Sequence, residues 1–121
     1  MQRQVELRGD LLVVAQAELG IPTERLLREI RLDGIEENDD LGPAEAIAMS
    51  TAWIVRHKPF PRRNLEIGYR FMRLMLKEAK VLWPRPEEEA DRIERMLRLL
   101  EAGAISEEQF AEWVCLRVAT A

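Results

Sequence analysis

Apolar residues recur at helical spacing over most of the chain, and short polar or glycine-containing stretches separate the apolar runs. We expect a first helix from about Asp10 to Glu18, with Asp10 as its N-cap and Gly20 as its stop signal. The stretch IPTERLLREIRL predicts a second helix, capped by Thr23. Residues 33–43 carry five acidic residues without periodicity, and they therefore predict a loop.

The strongest helical patterns lie in the middle of the chain, on both sides of a proline-rich turn. Pro43 fits the first turn of a third helix that runs to about Val55. A fourth helix is predicted from about Leu65 to Ala79, with Asn64 as its N-cap. Its apolar residues form two stripes, with Leu65, Gly68, Met72, Met75, Leu76 and Ala79 on one side and Ile67, Phe71 and Leu74 on another. Because an amphipathic surface helix needs only one stripe, we expect this helix to be buried at the centre of the fold.

Two further helices are predicted after an extended connector, VLWPRP at residues 81–86. The first starts at about Pro86, carries acidic residues early and arginines late, and is stopped by Gly103. The sequence SEEQ at 106–109 is a capping box that opens the last helix. Its inward-facing residues are Phe110, Trp113, Val114 and Val118. The predicted fold class is all-α, a bundle of five to six helices around a buried central helix, in a single domain over residues 1–121.

Composition narrows the class of protein and of partner. With 47% hydrophobic and 33% charged residues, the chain has the balance of a globular protein. Its net charge of -4 argues against general nucleic-acid binding, although residues 54–80 contain eight Lys or Arg against two Glu. Apolar runs stay far below the roughly 20 residues that cross a bilayer, and the stretch MQRQVELRGD does not have the apolar segment that is typical of a signal peptide. We therefore expect a cytoplasmic protein without a membrane partner, in which the lone Cys115 is a core residue rather than a nucleophile.

The candidate chemistry lies in the stretch HKPFPRRN, residues 57–64. A turn that opens onto a helix N-terminus favours anions, because unpaired N–H groups and the helix dipole both attract negative charge. Arg62, Arg63 and Asn64 are therefore candidates for binding phosphate or another anion. The single histidine, His57, is either a general base or a helix-terminal group that contacts the last carbonyls.

Other kinds of site receive less support from the sequence. Four basic residues share one face of the fourth helix, namely Arg70, Arg73, Lys77 and Lys80. They form either a solvated face or a further phosphate site. The sequence contains no Ser/His/Asp set, no Cys/His metal spacing and no glycine-rich phosphate loop, so we predict no metal site. The adjacent carboxylates Asp39 and Asp40 are expected to serve solvation.

The turn and its flanks resemble a known family. Pro59, Phe60 and Asn64, with Gly68 one turn further on, are similar to the signature of the Fic/Doc family, in particular the small Doc toxins of bacterial toxin–antitoxin modules. That signature is a His-Pro-Phe turn, an acidic residue, and then Gly-Asn-x-Arg at the start of a central helix. The segments LGPAEAIAMSTAWIVRHKPF and RMLRLLEAGAISEEQFAEWV resemble the helix before the motif and the family's closing segment. The resemblance covers roughly residues 41–118 and implies a Fic/Doc-type bundle.

The turn also departs from this signature at four positions. Lys58 stands at the family's catalytic histidine position, with His57 one residue early, and Arg62 replaces the acidic residue. Arg63 replaces the loop glycine, and Glu66 replaces the motif arginine. In the family the acidic residue holds a metal bound to ATP phosphates, so the resemblance implies that metal binding is lost here. His57 remains the candidate catalytic residue, displaced by one position.

Three functions follow from these observations. The first is a Doc-like protein that has lost or impaired phosphoryl or nucleotidyl transfer and acts as a protein-interaction module without a cofactor. Its partner would be an antitoxin-like peptide. The second is an active divergent transferase that uses ATP with Mg²⁺ to move phosphate or AMP onto a protein hydroxyl. In the third, the basic stripe binds an acidic partner or nucleic acid.

Overall fold

The computed structural model describes residues 2–32, 34–35, 41–83 and 86–120. Within these residues the chain forms six α-helices and two strands of two residues each. In chain order they are α1 (Gln2–Leu19), α2 (Thr23–Glu29), α3 (Pro43–His57), α4 (Asn64–Glu78), β1 (Val81–Leu82), α5 (Pro86–Glu101), α6 (Glu107–Arg117) and β2 (Ala119–Thr120). The all-α fold class is confirmed. Most of the predicted acidic loop, with Asp39 and Asp40, lies outside the described residues.

Two predictions about the first helices are wrong. Helix α1 begins at Gln2 rather than at Asp10, because buried Leu7 extends the apolar face by a turn and Gly9 does not interrupt it. Thr23 is not the N-cap of α2, since Pro22 occupies that position without a side-chain cap bond. The Thr23 hydroxyl is hydrogen-bonded to the side-chain oxygen of Gln16 instead, which ties α2 to α1.

Other helix boundaries agree with their sequence signals. Pro43 is the first residue of α3, where its missing N–H costs no helical hydrogen bond. Ser106 and Gln109 form the predicted capping box at α6, with each side chain bonded to the other residue's backbone N–H. Gly20 and Gly103 follow α1 and α5 with positive φ angles of 69° and 76°, as helix-ending glycines do. These signals act within a few residues and fix the ends of the helices locally.

The connector after α4 forms the predicted extended segment and pairs with the end of the chain. Strands β1 and β2 are antiparallel, with Val81 opposite Thr120 and Leu82 opposite Ala119. Beside the strands, the ring centroids of Trp83 and Trp113 lie 5.6 Å apart. The pairing fastens the C-terminal end of α6 to the residues that follow α4.

Helix α4 is the central helix of the fold, as its two apolar stripes predict. It packs against α1, α3, α5 and β1. Phe71 and Met72, in the middle of α4, have no solvent exposure. They join a core whose other fully buried large side chains are Leu11, Leu26, Ile35, Ile54, Val55, Ile67, Leu97, Leu100, Phe110 and Val114. The turn before α4 is thereby attached to a helix whose middle is fully buried.

The prediction that Cys115 is a core residue is wrong. Cys115 is exposed on α6 and does not fill the core, because Ala111 and Val114 take the inward positions of that helix. Partial burial, with a smaller effect of Glu45, raises the pKa of its thiol. None of the described helices combines the length and the apolar composition that a bilayer crossing requires.

Helices α3 and α4 approach each other closely at Gly68. A Cβ added at this position would lie 3.1 Å from Cγ2 of Val55, which is itself fully buried. We expect Gly68→Leu to lower the free energy of unfolding by about 1–3 kcal/mol, because the larger side chain has to force the two helices apart. Urea unfolding followed by circular dichroism measures the change.

Gly9 provides the matched control, since it lies inside α1 but a Cβ added there meets nothing within 4 Å. Gly9→Ala should raise the free energy of unfolding by about 0.5–1 kcal/mol through helix propensity alone. Stabilisation by Gly68→Leu would contradict the close approach.

Candidate functional site

The turn between α3 and α4, residues 58–63, has a defined backbone with two residues in the left-handed region. Lys58 follows the end of α3 with φ 48°, and Arg63 precedes α4 with φ 59°. Such angles are uncommon for residues with a Cβ and are held by surrounding contacts. Phe60 is 3% exposed and inserts into the core, while Pro59 is half-buried. The buried ring of Phe60 therefore anchors the turn to the hydrophobic core.

Asn64 closes this turn with its side chain. Its Oδ1 accepts a hydrogen bond from the backbone N–H of Phe60 at 2.9 Å, and its Nδ2 donates to the Phe60 carbonyl at 2.9 Å. The prediction that Asn64 is the N-cap of α4 is wrong, because Asn64 is the first helical residue and Arg63 is the cap. The Asn64 side chain therefore pairs both the N–H and the C=O of the buried residue Phe60. A helix N-cap side chain would only accept a hydrogen bond from a backbone N–H.

The two arginines of the turn reach across to the end of α1. Nη2 of Arg62 donates to the carbonyl oxygen of Leu19 at 3.2 Å, one of the carbonyls that the helix end leaves unpaired. Nε of Arg63 donates to Oε1 of Glu18 at 2.8 Å. The structure thus brings Arg62, Arg63 and Asn64 together, and protein groups engage all three.

Glu18 is the anion at the centre of this arrangement. Its Oε2 accepts a hydrogen bond from Nη1 of Arg70 at 2.6 Å, while Oε1 contacts Arg63. The side chain of Glu18 is 9% exposed, whereas those of Arg63 and Arg70 are 50% and 55% exposed. The hydrogen bond from Arg70, followed by the contacts with Arg63, holds the pKa of the Glu18 carboxyl below its ordinary value of 4.5 against the opposing effect of burial.

Sequence reasoning missed Glu18 as a member of the site. The partners lie 45 and 52 positions apart along the chain, so no local pattern connects them. One signal was available, because Glu18 lies in the last turn of α1, where the helix dipole disfavours a carboxylate. An acid at that position indicates a cationic partner from another part of the fold.

His57 occupies a different place from the arginines. It ends α3, where its Nδ1 lies 3.1 Å from the carbonyl oxygen of Trp53 and 3.6 Å from Oε1 of Glu107. Its ring stacks on the Trp53 ring with centroids 5.1 Å apart and planes 19° apart. These contacts match the helix-terminal interpretation of His57, and they direct its Nδ1 toward α6.

A polar cleft of about 290 Å³ opens beside the N-terminal end of α4. Its lining consists of Lys58, Pro61, Arg62, Arg63, Asn64, Leu65, Glu66, Arg98 and Glu101, and His57 does not belong to it. Nζ of Lys58 lies 3.9 Å from Oε2 of Glu101, and Arg98 is bonded to Glu94 at 2.7 Å. The cleft therefore mixes cations with carboxylates and does not present one sign of charge.

Among the described residues the cleft offers two carboxylates, those of Glu66 and Glu101, to a metal-bound triphosphate. Mg²⁺ prefers carboxylate and other oxygen ligands in octahedral geometry. Across the described ranges, 2–32, 34–35, 41–83 and 86–120, no group of three or more His, Cys, Asp or Glu side chains could hold a metal ion. At the turn itself, Arg62 stands where the resemblance expects the acidic ligand, and the Asn64 oxygen is bonded to Phe60.

The basic stripe of α4 divides between different environments. Arg70 forms an ion pair with Glu18 of α1. The guanidinium of Arg73 lies over the Tyr69 ring, 5.7 Å from its centroid. Arg73 and Lys77 both line a second, apolar groove on another side of α4. The stripe is therefore not one continuous anion surface.

Comparisons with known proteins bring no relative to this chain. No family model matches it, and neither a curated protein nor a solved structure does so.

The closure of the turn by Asn64 can be tested by substitution. Asn64→Ala should lower the free energy of unfolding by about 1–3 kcal/mol, because it leaves the N–H and C=O of Phe60 unpaired in a buried position. Asn64→Asp should also destabilise, since a carboxylate accepts from the N–H but repels the carbonyl oxygen. Asp is as good an N-cap as Asn, so an Asp variant as stable as wild type would indicate capping instead. Chemical denaturation of the three proteins decides between these interpretations.

The ion pairs of Glu18 predict a pH-dependent contribution to stability. Glu18→Gln should lower the free energy of unfolding at neutral pH by about 1 kcal/mol, since both arginines are half exposed and screened. The pKa of Glu18 is lower in the folded than in the unfolded protein, so the contribution is full above pH 4.5 and disappears as the pH falls through the lowered folded value.

The control for this experiment is Glu24→Gln, on the exposed face of α2, where the structure gives the carboxylate no ion pair among the described residues. Urea unfolding over a pH series should show the difference from wild type for Glu18→Gln and none for Glu24→Gln. A Glu18→Gln difference that persists unchanged at low pH would exclude the ion pairs as its source.

Proposed function

We propose that the chain is a Fic/Doc-like helical domain that has lost phosphoryl and nucleotidyl transfer and acts as a protein-interaction module. The observation that carries this proposal is the occupation of the turn's arginines by α1. Arg63 is paired with Glu18, and Arg62 is bonded to the carbonyl of Leu19. A nucleotide phosphate would have to displace a carboxylate of the protein's own chain before it could use Arg63.

The separation of His57 from the cleft supports the same proposal. Phosphoryl transfer depends on positioning an acid–base group and charge-stabilising groups around one reacting centre. His57 stacks on Trp53 and has Nδ1 beside a backbone carbonyl, while Lys58 takes the position in the cleft. The ammonium of Lys58 carries three donors and no acceptor when charged, so it does not serve as a general base in that form.

The geometry of the turn also agrees with descent from a Fic/Doc-type protein. Arg63 takes a φ of 59° at the position where the resemblance expects the loop glycine. Glycine adopts that conformation without the cost that a Cβ adds. Asn64 and Phe60 join the turn to the central helix α4. The turn thus has a backbone suited to the family motif together with side chains that serve packing.

An interaction module needs a partner, and we propose a cytoplasmic protein partner that presents an antitoxin-like peptide. In this role the arginine contacts with α1 hold the bundle together, and they leave the outer surfaces of α4, α5 and α6 for recognition. In this proposal the helical scaffold is retained because it binds the partner, although catalysis is lost.

The cleft itself gives a reason to test the alternative, an active divergent transferase. Lys58, Arg62, Arg63 and Arg98 line the cleft together with Glu66 and Glu101. The cations outnumber the carboxylates in the lining and lie beside a helix N-terminus, although Arg63 and Arg98 are also paired with Glu18 and Glu94. In this alternative the cations replace a metal as charge stabilisers, and nucleotide binding survives EDTA.

The test is a transfer assay with ATP labelled at the α- or γ-phosphate, Mg²⁺ and cell extract. We expect no transfer of label by the wild-type protein above the level of its His57→Ala and Lys58→Ala variants, because the cleft lacks a positioned base. The two label positions separate AMP transfer from phosphate transfer.

Label transfer that disappears in His57→Ala or Lys58→Ala would refute the loss of catalysis. Nucleotide binding that survives EDTA and weakens in Arg62→Ala would support the divergent transferase. Equilibrium dialysis with labelled ATP measures that binding directly.

A further inference from the structure

We draw no further inference here: the strongest candidate, the cavity of about 400 Å³ between α1, α3 and α4 that Asp10 and Glu78 line together with apolar side chains, carries nothing because no contact among the described residues shows what covers it.

Discussion

The carboxylate of Glu18, in the last turn of α1, joins two arginines that stand before and within α4. Because α1 and the turn at residues 58–63 both lie against α4, this interaction links the end of α1 to the turn and to the central helix at the same time. The helix dipole disfavours an acid at that end of α1, so the two cations compensate both the charge and its partial burial. The turn's Arg63 is thus paired with a carboxylate of the protein's own chain.

The contacts with α1 occupy the arginine side chains of the turn, while other contacts hold its backbone. Asn64 ties the backbone of Phe60, and Arg63 combines a left-handed φ angle with its hydrogen bond to Glu18. An anion site that is built for exchange leaves its donors free to meet the ligand, but here they meet Glu18 and Leu19. The side chains of the turn thus serve contacts within the protein, which is the basis for proposing recognition rather than transfer.

The charges of α4 follow from how its neighbours are placed. Toward α1 the helix presents Arg70 to a carboxylate, and toward β1 it presents Arg73 and Lys77 to a groove that offers them none among the described residues. The short pairing of β1 with β2 places Leu82 at the edge of that groove. The cations of α4 therefore meet a carboxylate on one side of the helix and an apolar groove on another.

The sequence by itself determined the features that act within a few residues. Pro43 at the start of α3, the Ser106–Gln109 capping box, the stops at Gly20 and Gly103 and the two apolar stripes of α4 were all predictable, because backbone geometry and helical periodicity are local. The tertiary structure alone decided the rest. Only the packed structure shows that Asn64 is hydrogen-bonded to Phe60 and that Arg63 pairs with Glu18, 45 residues away. It also places Cys115 at the surface. Such partners depend on how the helices pack, and helical periodicity shows which face is apolar but not which side chain from a distant helix will meet it.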